Sequence, residues 1–346
     1  MTQKKKHLKI KFKNIIFLLI IIILVIGGIK MISKKTTPSA ITLESLGYDE
    51  KTSTILSTCS VNYYDENIAT LANIDGFECS NLNNYLTYLE ENNAPLADVI
   101  YLINNGYNYP YSKSLVDLIK APYFIKDNLS LYLTNLTDNI NETITEVNTN
   151  LIYDYYTHMQ ATNLSKDTLV LVNKYNYLDA NYEPSDLETI DSSYSIGANN
   201  LMRHEARLAF EKMCAAAALD NIKLYNISAY RSYNTQSIIY NRYVAARGVE
   251  LTDKTSARPG NSEHQTGLAS DINSLDTDFQ YTSEYTWLIN HSYLYGFILR
   301  YGKTTTKITG YNYEPWHYRY VGQEVAKKIH DESLTFDEYY AYYVAR

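Results

Sequence analysis

Two short stretches of this 346-residue chain carry side chains of the kinds that hold a metal ion and move a proton. Ser262, His264, Gly267, Ala269 and Asp271 form the pattern S-x-H-x-x-G-x-A-x-D, and Glu314 with His317 forms E-x-x-H. Two imidazole nitrogens and one carboxylate oxygen are donor types suited to a catalytic zinc, and three protein ligands leave a fourth position for water. Glu314 is then the spare carboxylate, placed to act as a base toward that water. His264 and Asp271 are seven residues apart, roughly 23 Å in an extended chain, so the chain has to turn between them. Gly267 is the residue that permits the turn. Glu314 and His317, three apart, would face opposite sides of a straight strand, and Pro315 keeps Glu314 extended and disfavours a helix. An irregular start to a strand is therefore expected, aiming both side chains into one pocket. On spacing alone, a metal site and a set of solvated polar loops remain equally open. His7, His158, His204, His291 and His330 read as surface or core positions, and His204-Glu205 lacks the second histidine of a metalloprotease helix. No two of the three cysteines have C-x-x-C spacing, which excludes a thiolate zinc knuckle.

The elements that must position these residues begin near Leu164. Helix spacing covers Ala198–Leu219, a strand follows over Ile222–Ala229, and a second helix over Tyr233–Arg247 ends at Gly248, as a C-terminal cap should. A polar loop with Pro259 and Gly260 leads into the first motif. A helix near Tyr285–Tyr295, a strand from Phe297, the second motif and a last helical stretch complete residues 165–346. Strands and helices mix without regular alternation, which predicts an α+β fold with an antiparallel sheet. Residues 41–160 read as a separate helical module, with apolar residues at helix spacing in NLNNYLTYLEENN and PLADVIYLINNG. LESLGY and LINNGY share a helix-ending Gly-aromatic step, a hint of repeated helical hairpins. Convergent charged groups are missing there, so this module reads as a spacer or docking unit.

Charge divides the chain differently. Residues 1–35 contain nine lysines and no acid, leaving 22 basic against 38 acidic residues in the remainder. A body carrying about −16 argues against nucleic acid, whose phosphates need a basic face. The lysines of 1–14 precede fifteen apolar residues, Ile15–Ile29, extended to Ile32 if Lys30 snorkels. No small-x-small cleavage site follows Gly28, which favours an uncleaved anchor over a signal peptide. Lysines before the span place residues 1–14 in the cytoplasm, 15–32 in the membrane, 33–40 as a linker and the rest outside. Cys59 and Cys79 are close enough to pair in an oxidising exterior, whereas Cys214, in an Ala-rich run, reads as a buried small hydrophobe. The 36 tyrosines are spread from Tyr48 to Tyr343, so they mark no binding stripe.

The two motifs, together with LVNKYNYLDANYEPSDL (171–187), SAYRSYNTQ (228–236), ARPGNSEHQTGLASDI (257–272) and EPWHYRYVG (314–322), resemble VanY-like D-alanyl-D-alanine carboxypeptidases, a family with related L,D-carboxypeptidases and D,D-dipeptidases. The resemblance covers roughly residues 165–331, without departure at a motif position. It implies a zinc D,D-peptidase-like fold, a small antiparallel sheet flanked by helices. It also makes His264, Asp271 and His317 the zinc ligands and Glu314 the catalytic base. Arg231 matches the family arginine that would stabilise an oxyanion or hold a carboxylate, and Gln236 and Ser262 would line the substrate cleft. The implied activity is removal of the terminal D-alanine from peptidoglycan stem peptides, D,D- or L,D-specific. An endopeptidase of the same fold and a non-catalytic wall-binding protein are the alternatives.

Overall fold

The structure, a computed structural model, describes residues 41–92, 96–107 and 111–345. The tail, anchor and linker expected at 1–14, 15–32 and 33–40 lie outside the described residues. Among the described residues no helix is long and apolar enough to cross a membrane. The chain divides into two compact units at Tyr109/Pro110, well before the 160–165 boundary expected from the sequence.

In the first unit, short helices are started by side-chain caps. Asp49 accepts from the Thr52 amide ahead of Glu50–Leu56, and Asp65 accepts from Asn67 and Ile68 ahead of Glu66–Ala72. Each satisfies amides that the first helical turn leaves without partners. Tyr48, Leu56, Ile68 and Ala72 form the core, and Cys59 and Cys79 are joined in a disulfide. The Gly-aromatic steps expected at Gly47 and Gly106 are both in the left-handed region, at φ 113° and 78°.

The second unit begins with helices Lys113–Lys120, Leu129–Thr134 and Ile140–Asn148. They belong here because they pack on the C-terminal segment. The Tyr123 and Tyr343 hydroxyls lie 2.6 Å apart, Thr145 meets the Tyr342 hydroxyl, and Lys307 reaches Glu142 at 2.6 Å. Nine short strands follow: β1 Gln160–Ala161, β2 Asn176–Tyr177, β3 Leu187–Thr189, β4 Ser195–Asn199, β5 Leu201–Arg203, β6 Asn226–Ser228, β7 Ala269–Ile272, β8 Phe297–Leu299 and β9 His317–Tyr320. β1 pairs with β2 and β3 with β5, while the main sheet has the order β4-β6-β7-β9-β8.

The purely antiparallel sheet expected from the sequence needs correction at one edge, where β4 runs parallel to β6. Helix α1, His204–Leu219, lies between them in sequence. A helical crossover returns the chain so that the next strand runs the same way. A register shift between Ser195 and Asn199 falls at Gly197, where a Cβ would come within 1.6 Å of the Ile227 carbonyl oxygen. The helix expected from Ala198 starts at His204, because residues 195–203 are taken up by β4 and β5. The strand expected over Ile222–Ala229 shortens to β6. Helix α2 occupies Tyr233–Arg247 and ends at Gly248 as expected. The helix expected near Tyr285–Tyr295 is α3, Ser283–His291, continued by a tighter turn over Ser292–Tyr295; α4, Gln323–Glu332, follows β9.

α1 covers one face of the sheet. Its buried side chains Ala206, Phe210, Met213, Cys214 and Ala217 recur at helical spacing and meet Ile272, Phe297, Tyr318 and Tyr320 from the strands. Burial of these apolar side chains contributes about 1.5–3 kcal/mol each for the larger ones. It fixes β7 and β9, the strands that carry two of the motif residues. Cys214 is buried and free, as read from the sequence.

Candidate metal centre

Sheet register assembles the site. β7 and β9 are antiparallel neighbours in which Asp271 lies directly opposite His317, and directly opposed residues have Cβ atoms about 5 Å apart. Asp271 is also opposite Ser228 of β6. His264 arrives from the other direction, on a single tight turn over Glu263–Thr266 that ends at Gly267, φ 68°. A Cβ at Gly267 would lie 2.8 Å from a Leu187 methyl, so the turn inferred from spacing needs glycine for both φ and space. Before β9, the His317 amide donates to the Glu314 carbonyl at 3.2 Å. This turn brings Glu314 and His317 to the same side, as the irregular strand start required.

The three putting forward ligand atoms are buried, and one atom from each of His264, Asp271 and His317 lies within 4.8 Å of the others. His264 Nδ1 donates to the Ala229 carbonyl at 2.7 Å. That bond leaves Nε2 facing the pocket, 3.4 Å from Asp271 Oδ2, as a ligating imidazole requires. His317 Nδ1 is 3.3 Å from Asp271 Oδ1 and 3.7 Å from Glu314 Oε2. Asp271 Oδ1 is buried without a hydrogen-bond partner. A buried carboxylate oxygen in that condition, beside two imidazole nitrogens, fits a cation as its missing partner.

The electrostatics agree. Burial raises the Asp271 carboxyl, but His264 and His317 overcome it and hold the group well below the usual carboxylate range. Burial lowers His264, with Arg231 adding to the effect. Burial lowers His317 as well, yet contacts with Asp271 and Glu263 push it up to about 9. The same negative potential favours a metal cation among these side chains. Glu314 behaves differently: burial and the neighbouring Asp271 outweigh His317 and Arg231, and the carboxyl is pushed up to about 7.

Arg231 follows β6, its backbone amide bonded to the His264 carbonyl at 3.1 Å. Its guanidinium donates to Gln236 Oε1 at 2.8 Å and Ser228 Oγ at 2.9 Å, and lies 3.6 Å from Asp271 Oδ2. Gln236 is itself buried and donates to the Ala257 carbonyl at 2.7 Å, so it sets the direction of Arg231. All of these residues and Ser262 line one cleft of about 610 Å3.

Sequence reasoning missed Glu263 and Ser228. Glu263 Oε2 lies 3.4 Å from His317 Nε2, and Oε1 accepts from Arg300 at 2.8 Å and Arg319 at 3.0 Å. Burial raises the Glu263 carboxyl, but the two arginines hold it far below its ordinary range. Its position beside His264 in the first motif was the only signal in the sequence.

The family model for D-alanyl-D-alanine carboxypeptidase, VanY, matches residues 199–323. A putative carboxypeptidase of Bacillus subtilis is 42% identical over 184 residues, spanning 51% of this chain and 67% of its own length. A bifunctional D-Ala-D-Ala dipeptidase and D-Ala-D-Ala carboxypeptidase of Enterococcus gallinarum is 32% identical over 185 residues, spanning 51% of this chain and 95% of its own. Among solved structures, the LdcB LD-carboxypeptidase superposes with a TM-score of 0.51 and 39% identity, covering 54% of this chain and 91% of that one. Each match takes in about half of this chain.

Proposed function

Because the chain belongs to the VanY-like family of D-alanyl-D-alanine carboxypeptidases, as a metallo-carboxypeptidase, we propose that it uses zinc to release the terminal D-alanine of peptidoglycan stem peptides. The observation that carries this reading is the buried Glu314 carboxylate 3.7 Å from His317, beside a three-residue ligand set that does not need it. His264, Asp271 and His317 hold the zinc, which when bound polarises the scissile carbonyl and acidifies water. Glu314, with a pKa of about 7, takes a proton from the attacking water and returns it to the departing amine. Its pKa near operating pH suits both transfers. Arg231, aimed by Ser228 and Gln236, sets positive charge beside the ligands, where it stabilises the oxyanion developing on the carbonyl. The reaction proceeds without a covalent acyl-enzyme. The bond cut is the terminal one, D,D in a pentapeptide or L,D in a tetrapeptide. Incubating the full-length protein with both peptides should release single D-alanine, and a chelator should stop it. Release of internal fragments alone would replace this reading with an endopeptidase.

We also propose that residues 15–32 anchor the protein in the cell membrane, with residues 1–14 cytoplasmic and the catalytic unit outside, where peptidoglycan lies. The lysine-rich head supports this orientation, and the Cys59–Cys79 disulfide fits an oxidising compartment. Protease added to intact protoplasts should remove the catalytic unit; its full protection would reverse the orientation.

A further inference from the structure

The described arginines divide unevenly between paired and unpaired. Arg203, Arg207, Arg231, Arg258, Arg300 and Arg319 each lie within ion-pair distance of a carboxylate. Arg242 and Arg247 have no acidic partner among the described residues, although the body of the protein has 38 acids to 22 basic residues beyond position 35. Both are on α2, and both line the cleft that contains the metal centre. Their guanidinium groups share one aromatic ring: Arg247 Cζ lies 4.5 Å and Arg242 Cζ 5.4 Å from the Tyr243 ring centre. Arg247 also donates to Thr255 Oγ1 at 2.5 Å. Stacking on a ring restricts a guanidinium while leaving N–H edges free to meet an anion, and its planar fork matches a carboxylate.

Rest now on the carboxypeptidase reading above. An exopeptidase that removes one residue needs little space beyond the scissile bond, so most of a cleft of about 610 Å3 has to receive the acyl side of the peptide. We propose that Arg242 and Arg247 form an anion subsite that binds a free carboxylate on the acyl side of the scissile bond, giving the enzyme a preference for acidic stem peptides over their amidated forms. The fork pairs with the carboxylate without displacing a protein acid, so no internal ion pair has to break on binding.

The test measures binding apart from turnover. Zinc-loaded full-length protein carrying Glu314→Gln, which leaves the peptide intact, is titrated calorimetrically with L-Ala-γ-D-Glu-L-Lys-D-Ala-D-Ala. The titration is repeated with the same peptide bearing a carboxamide in place of the glutamyl α-carboxylate. The carboxylate form should bind about tenfold more tightly, the size of one charge-assisted contact. The ratio should fall toward one when Arg242→Gln and Arg247→Gln are added. Lys212→Gln with Lys223→Gln, the same loss of charge outside the cleft, should leave the ratio as it was. A ratio near one at the start, a ratio that survives loss of both arginines, or absence of binding by either peptide overturns the subsite. Hydrolysis by the unmutated protein tests the carboxypeptidase reading separately.

Discussion

The metal cluster has two sides that handle buried charge in opposite ways. Behind His317, Glu263 accepts from Arg300 and Arg319, Arg300 reaches Asp337 at 2.6 Å, and Asn173 donates to the other Asp337 oxygen at 2.8 Å. These charged side chains are almost wholly buried, and each has an opposite charge beside it. In front of His317, Glu314 is also buried, but the only cationic group within ion-pair distance among the described residues is His317 itself, at 3.7 Å. The rear carboxylate is held ionised and the front one is lifted to about 7. A closed network fixes geometry because breaking it strands a charge. A buried carboxylate without that support can exchange a proton near neutral pH.

The comparison breaks most sharply at the ligands. His317→Ala removes one of three protein ligands and also uncovers Glu263, so zinc and D-alanine release should disappear together. Glu314→Gln keeps the shape of the side chain but cannot accept the water's proton. Zinc content should stay near that of the unmutated protein, while turnover falls by roughly 10²–10⁴-fold. Elemental analysis beside a D-alanine release assay reads both. Near-normal turnover in Glu314→Gln would remove the glutamate from the mechanism even with zinc present.

A smaller effect separates rear from front by stability. Glu263→Gln leaves Arg300 and Arg319 without their carboxylate, and loss of one partner in a buried pair costs about 3–5 kcal/mol. Zinc affinity should fall as well, by about 10–100-fold, because the group that orients His317 is weakened. Glu314→Gln, removing an under-compensated buried charge, should instead leave the protein equally or more stable at pH 8. Urea midpoints for the two variants should therefore move in different directions. A common loss of stability would mean that both glutamates belong to one structural network.

The front of the site was more legible in the sequence than the rear. Asp271, His264, Glu314 and His317 sit beside the glycine and proline that turn the chain, so their chemistry and local geometry can be read within a few residues. Glu263 has its meaning from Arg300 and Arg319, 37 and 56 residues onward, brought near only by sheet register. The same limit explains β4: residues 198–203 have helix-like spacing, but pairing of Asn199 with Ser228 and Leu201 with Thr189 overrides it. The unit boundary was hidden for a related reason. Helices 113–148 look like those of the first unit, and only contacts with Tyr342 and Tyr343 assign them to the second.

The finest distinction between the two sides is the pH dependence of folding in chelator-treated protein. Glu314 is raised in the folded state from the usual 4.5 to about 7, so between these values the folded protein binds more protons than the unfolded chain. Its contribution therefore falls as pH rises from 4.5 to about 7, by on the order of 2 kcal/mol for a shift of this kind. Glu263 has the opposite sign, since its lowered pKa adds stability above the unfolded value that is lost as pH falls. His317, raised from 6.5 to about 9, adds stability that is complete below 6.5 and lost as pH rises through 9. Subtracting the Glu314→Gln curve from that of the unmutated protein isolates the front carboxylate. The difference, expressed as stability of the unmutated protein minus that of the variant, should fall across pH 4.5–7 and flatten above it. A flat difference from pH 4 to 8 would show that Glu314 is no less comfortably ionised than Glu263, and the contrast between front and rear would collapse.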